Sequence, residues 1–302
     1  MLIILSNNLA MKRLLLLLFA CLFPFLSFAQ PAGKIPILIR CDDIGMSHSV
    51  NMAAKAVLET GLPVSMSVMV PCPWFEEGVE ILKQYSNVSI GIHLTLNSEW
   101  TKYRWGPVLG ASAVPSMVDS LGYFFPTAKA FFDNKPRLDE IEAEMRAQIN
   151  KAIRAGLKID YFDYHMRTAL ELPETRALVE KLAAEYKVAL SGYYGETEVL
   201  GGYAAPFANK QDTLAAKVKS LQPGNTKLFV FHIAQDTPEM SALEDANPNG
   251  LKQVSKHRQA ELNTLLSPAF QQLLRDPKYR LVNYGMLNKE QGIQTMKRPG
   301  TR

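Results

Sequence analysis

From Ile35 to Asn283, short apolar runs alternate with longer stretches whose apolar residues recur every three or four positions. A short unbroken apolar run fits a strand buried on both faces, and the three-to-four period fits a helix with one apolar side. The runs predict strands at 35–41, 65–70, 88–94, 159–164, 188–190, 228–233 and 280–283. The periodic stretches predict helices at 49–60, 74–85, 138–155, 173–186 and 256–274. Gly61 and Gly156 each follow a helical stretch, where a left-handed C-cap costs glycine least. Strand and helix in alternation are the pattern of parallel strands joined by crossover helices, so the expectation is an α/β fold. At 302 residues and 47% hydrophobic content, one large domain such as an α/β barrel accommodates the chain.

Two segments break the rhythm. Residues 97–136 carry Gly, Pro and aromatic rings, among them Trp100, Trp105 and Phe124, and read as an insertion: a substrate wall or a self-packed excursion. Residues 191–211, rich in Gly and Tyr, are expected to border the same cleft. The first 29 residues place Lys12 and Arg13 ahead of an apolar stretch broken by Pro24 and closed by Ser27 and Ala29, the form of a cleavable secretory signal. The expectation is an exported protein, periplasmic or secreted, with 30–302 as one catalytic domain and no stable membrane insertion after cleavage. Cys21 follows the bulky Phe19 at the position where lipidation favours a small residue, which argues against a lipid anchor. Losing Lys12 and Arg13 lowers a formal charge of only +4, and nothing in the balance suggests a nucleic-acid partner. Cys41 and Cys72 then remain, as buried thiols or as one disulfide. A homodimer stays open.

Polar residues cluster at the carboxyl ends of three predicted strands: Asp42 and Asp43 after the first, His93 in the third, Asp163 and His165 after the fourth. That edge is where barrels and open parallel sheets build their sites. Adjacent carboxylates leaving a strand diverge, so one can ligate a metal while the other stays free as a base. One carboxylate and two imidazoles leave positions open on a divalent ion for water and substrate, a set suited to hydrolysing amides and esters. Each residue also has a plainer use. The Asp-Asp-x-Gly stretch at 42–45 can be a turn whose carboxylates cap a helix, His93 a buried core histidine, His165 a surface residue, and Asp163 a helix cap. Their convergence favours the metal site.

At these residues the chain resembles the YdjC-like carbohydrate deacetylases, distant relatives of the NodB-type polysaccharide deacetylases. The resemblance runs through RCDDIGMSHSVNMA (40–53), SMSVMVPCPW, GIHLTLNSEW (91–100), the stretch with Glu144, Gln148, Gly156, Asp163 and His165, and RQAELNTLLSPAF (258–270). It implies a deformed (β/α) barrel of about seven parallel strands and one divalent ion, magnesium or zinc. It further implies Asp42 as general base, Asp43, His93 and His165 as ligands, and an acetylated sugar or oligosaccharide as substrate. The residues alone leave open which aspartate does which job. The chain departs from the family where Arg167 replaces a second histidine, and where His232 is followed by Ile233 rather than proline. His232 is the candidate general acid, with a core histidine as its plainer reading. The expected activity is removal of N-acetyl groups. The alternatives are a non-catalytic carbohydrate-binding protein on the same fold and an esterase or amidase on a non-sugar acyl substrate. Trp100 is the expected sugar-stacking ring.

Overall fold

The computed structural model describes residues 33–300; the expected signal over 1–29 lies outside them. The first half of the described chain runs β1 (Ile35–Ile44), α1 (His48–Glu59), β2 (Val64–Val68), α2 (Phe75–Leu82), β3 (Val88–Leu94), α3 (Ala128–Asp133) and α4 (Leu138–Arg154). It continues through β4 (Tyr161–Tyr164), α5 (Pro173–Tyr186), β5 (Ala189–Leu190), β6 (Thr197–Glu198), α6 (Lys210–Lys219) and β7 (Lys227–Phe231). It ends with α7 (Pro238–Ser241), α8 (Val254–Leu266), α9 (Pro268–Leu274), β8 (Tyr279–Val282) and α10 (Tyr284–Gln291).

All strand pairs are parallel, in the order β5-β4-β3-β2-β1-β7-β6. β8 pairs with Ile35–Leu38 of β1, below the point where β2 takes over from Arg40. The sheet thus has eight strands where about seven were expected; the two-residue β6 carries no apolar run that could have announced it. β5 and β6 are the ends of the sheet and do not pair, so the barrel is open between them. The sheet is nevertheless rolled. β1 and β5 stand four strands apart, about 19 Å in a flat sheet, yet the Arg40 guanidinium donates to Ser191 Oγ, just beyond β5, at 2.7 Å.

Strand alternation sorts the side chains. Ile35, Ile37, Ile39, Cys41, Ile90, Ile92, Phe162, Phe229 and Phe231 belong to the large core that the helices cover. Leu38, Tyr161, Leu228 and Val282 form a second cluster with Tyr284 and Leu287, which plugs the amino-terminal end of the rolled sheet. Following the same face toward the carboxyl ends, Leu38 leads to Arg40 and Asp42, Tyr161 to Asp163, and Leu228 to Val230 and His232. An apolar plug below and ionisable groups above are therefore one consequence of period two.

α4 shows how a helix serves the site. Ile141, Met145, Ile149 and Ala152 recur at helical spacing and are buried, with acidic residues in its first turn and Lys151 and Arg154 in its last. Two polar residues on the buried side reach into the loop after β3. Gln148 bonds both the N–H and the carbonyl of Thr95, and the Glu144 carboxylate accepts from the N–H groups of Val108 and Leu109. The insertion is thereby pinned to the scaffold, and it also packs on itself through Val114, Met117 and Phe124. The helix expected over 256–274 is broken at Ser267, whose extended backbone and hydroxyl start α9 at Pro268. Cys41 and Cys72 are both buried free thiols. No helix among the described residues is long and apolar enough to cross a membrane.

Candidate metal and catalytic centre

Alternation places Asp42 inward with Arg40 and would place Asp43 outward. The β1–β2 register shifts between Cys41 and Ile44, and Asp43 takes a left-handed φ of 71°. A bulge of this kind re-aims a side chain, and both carboxylates end up buried at the head of the rolled sheet. Gly45 lies two residues on with φ 91°, a backbone that disfavours other residues, and an added Cβ would crowd the backbone of Phe75 and Met69 at 3.1 and 3.3 Å. The carboxylates do not cap α1; Ser47 does, accepting from Val50 N.

His93 closes β3 and pairs in register with Asp163 of β4. His165 follows β4 and is buried rather than at the surface, held there by a tight turn in which Met166 and Arg167 both adopt positive φ, 47° and 61°. Left-handed residues other than glycine are costly and gather where geometry is imposed by function. Asp43 Oδ1 lies 3.5 Å from His93 Nε2 and 3.6 Å from His165 Nδ1, and the two nitrogens are 3.4 Å apart. Donors that share one ion at about 2.0–2.2 Å stand at separations of this order. Asp43 Oδ1 is also buried with no hydrogen-bond partner among the described residues. Donor set, spacing and unsatisfied oxygen all fit a divalent cation.

Each ligand candidate is held from behind. His93 Nδ1 bonds Asp163 Oδ2 at 2.8 Å, and His165 Nε2 bonds Glu99 Oε2 at 2.7 Å, which fixes each ring and leaves its other nitrogen facing Asp43. Asp163 therefore orients His93 and caps no helix. Asp43 Oδ2 accepts from Arg258 Nη2 of α8 at 2.6 Å. Arg40 grips Asp42 through Nε and Nη2 at 2.6 and 2.7 Å and comes within 3.1 Å of Asp163.

These pairs set the charges. Burial alone would raise both aspartates, but the Arg40 charge leaves Asp42 below the ordinary carboxylate range, and Arg258 leaves Asp43 well below it. Burial pulls both histidines down, and neighbouring carboxylates more than reverse it: Asp163 raises His93, and Glu99 with Asp43 pushes His165 up to about 10.

The centre opens into a cavity of about 800 Å³, within the range of small-molecule sites. His232 lines it, half-buried, with its ring edge against Tyr203 and its Nδ1 without a partner among the described residues. The backbone of His232 donates to Glu261 of α8, whose other oxygen accepts from Lys210, an ammonium with 0% exposure. Tyr193, Glu196 and Tyr203 from the 191–211 segment form one wall, as expected, and Arg167 reaches another. Trp100 lines the cavity but is buried beneath Arg258, so the expected stacking ring is a wall edge and not an open platform.

Asp42, Asp43, His93, His165 and His232 thus all converge on one cavity. Sequence reasoning missed Arg40, Glu99, Arg258 and Glu261. Arg40 carried a signal, since it lies two residues before Asp42 and so on the same strand face. The other three sit on loops or helices with nothing local to mark them.

A family model described as YdjC-like protein matches residues 36–276. The carbohydrate deacetylase of Brevibacillus brevis is 27% identical over 261 residues, covering 83% of this chain and 99% of its own. The carbohydrate deacetylase of Thermus thermophilus is 32% identical over 156 residues, 52% of this chain and 53% of its own. A crystal structure of an Enterococcus faecalis protein, provisionally assigned to cellobiose-phosphate cleavage, superposes with a TM-score of 0.68 at 21% identity, covering 84% of this chain and 99% of the other. That likeness shows the deformed barrel.

Proposed function

The chain belongs to the YdjC-like protein family, and from that premise we propose that it is a metal-dependent deacetylase removing N-acetyl groups from a carbohydrate. The observation that carries the reading is the buried triangle of Asp43 Oδ1, His93 Nε2 and His165 Nδ1 with a second, separately held carboxylate, Asp42, in the same cavity. The relatives' activity on acetylated carbohydrate supports the substrate class.

In this reading Asp43, His93 and His165 hold one divalent ion, zinc or magnesium, which would acidify a water and polarise the acyl oxygen. Asp42 takes the proton of the attacking water. Arg40 keeps Asp42 ionised and fixes its direction. Asp163 and Glu99 keep the two imidazoles turned toward Asp43. His232, which lines the cavity at the end of β7, protonates the departing sugar nitrogen. We place this chemistry outside the cytoplasm, on the strength of the signal pattern in residues 1–29.

The test is acetate release from N-acetylglucosamine oligomers and from acetylated xylan, by wild type and Asp42→Asn with metal content measured in both. The expected result is release from the N-acetylated sugar, reduced about 10²–10⁴-fold in Asp42→Asn at unchanged metal content. Release from xylan alone would make the chain an esterase, and no release from either would favour a carbohydrate-binding protein.

A further inference from the structure

Arg258 is the buried cation that the reaction outlined above leaves with donors to spare. It is 3% exposed and lines the cavity. One nitrogen, Nη2, is committed to Asp43. The other two, Nε and Nη1, are buried with no hydrogen-bond partner among the described residues. The guanidinium lies 5.9 Å from the ring of Trp100, whose Nε1 is likewise buried and unpartnered. Leaving a buried donor unsatisfied is costly, and more so on a charged group, so a mere prop for Asp43 would be a poor use of arginine. A lysine or an asparagine could hold one carboxylate oxygen with fewer donors left over.

The placement is specific. Arg258 lies one turn of α8 before Glu261, which holds His232, and the Arg258 carbonyl accepts from the backbone of Ala234, two residues beyond His232. One helix turn therefore reaches both the Asp43 ligand and the strand end that carries the candidate acid. A planar, permanently charged fork suits a planar group bearing oxygen, and pairs best with a carboxylate.

We infer that Arg258 is a substrate-binding residue, which holds the acyl oxygen of the scissile group and then the carboxylate of the acid released. This rests on the deacetylase reading for the identity of the acid, acetate, and not for the presence of the site. A guanidinium that binds acyl oxygen beside the ligand cluster adds a fixed positive charge where oxygen becomes more negative, an arrangement worth about 10²–10³ in rate when one donor is removed elsewhere.

The probe is acetate, titrated into the zinc-loaded full mature chain and followed by calorimetry, for wild type, Arg258→Lys and Arg258→Gln at matched zinc occupancy. Wild type should bind acetate at least about tenfold more tightly than Arg258→Gln, with Arg258→Lys between them. A crystal structure of zinc-loaded wild type with acetate should place a carboxylate oxygen within hydrogen-bond reach of Arg258 Nε or Nη1, and this decides the matter if the variants do not fold. Equal acetate affinity in Arg258→Gln, or an acetate that touches neither nitrogen, overturns the inference and leaves Arg258 a prop for Asp43. Failure of wild type to release acetate from any N-acetylated sugar is a separate readout; it refutes the deacetylase reading while acetate binding still decides for or against Arg258.

Discussion

A histidine placed to face a cation needs its remote nitrogen occupied, or the ring turns and the tautomer is undefined. Glu99 does this for His165 and Asp163 for His93, from different elements. Glu99→Ala would leave His165 Nε2 buried without its acceptor, and zinc affinity measured by competition with a chelator should fall about 10–100-fold while the fold persists. An undiminished affinity would mean that packing against Trp105, 5.9 Å away and edge-on, is enough to hold the ring. At this scale the sequence was legible where chemistry and strand ends coincided: Asp42, Asp43, His93 and His165 stand out because ionisable groups interrupt apolar runs. Glu99 and Arg258 were not legible, because a carboxylate in a loop and an arginine on a helix look like any solvated charge until the fold buries them.

Among the elements, β1 contributes most, since one strand supplies Arg40, Asp42 and, through its bulge, Asp43. β3 and β4 bring His93 opposite Asp163, and their close fit depends on Gly91, whose missing side chain leaves room for the ring of Tyr161. A Cβ there would stand well inside contact distance of that ring. Gly91→Ala should therefore lower stability by about 1–3 kcal/mol in urea unfolding, and a loss below the error of the extrapolation would show that Tyr161 can yield. The spans Val88–Leu94 and Pro173–Tyr186 were readable to the residue, because each has a continuous pattern and clear stops. The break at Ser267 was not anticipated, because the apolar period continues across it while the capping serine and the proline interrupt the backbone. The three-residue excess at the end of β1 was equally hidden, since only pairing partners show that Asp42 and Asp43 are still strand.

Across the whole molecule, the rolled parallel sheet sorts its lining into an apolar plug at one end and buried charges at the other, under a cavity that the 191–211 segment walls on one side. The alternation of strand and helix made the fold class legible; the roll that brings Ser191 to Arg40 depends on long-range closure that no local pattern encodes. The central claim is that the cluster of Asp43, His93 and His165 works by holding a metal ion. The most direct measurement is acetate release from N-acetylglucosamine oligomers by the protein as purified, after stripping with a chelator, and after resupply with zinc or magnesium, with His93→Ala carried in parallel. Activity that disappears on stripping, returns on resupply and cannot be restored in His93→Ala is the predicted result. Release that survives full removal of metal, or that His93→Ala retains, would contradict it.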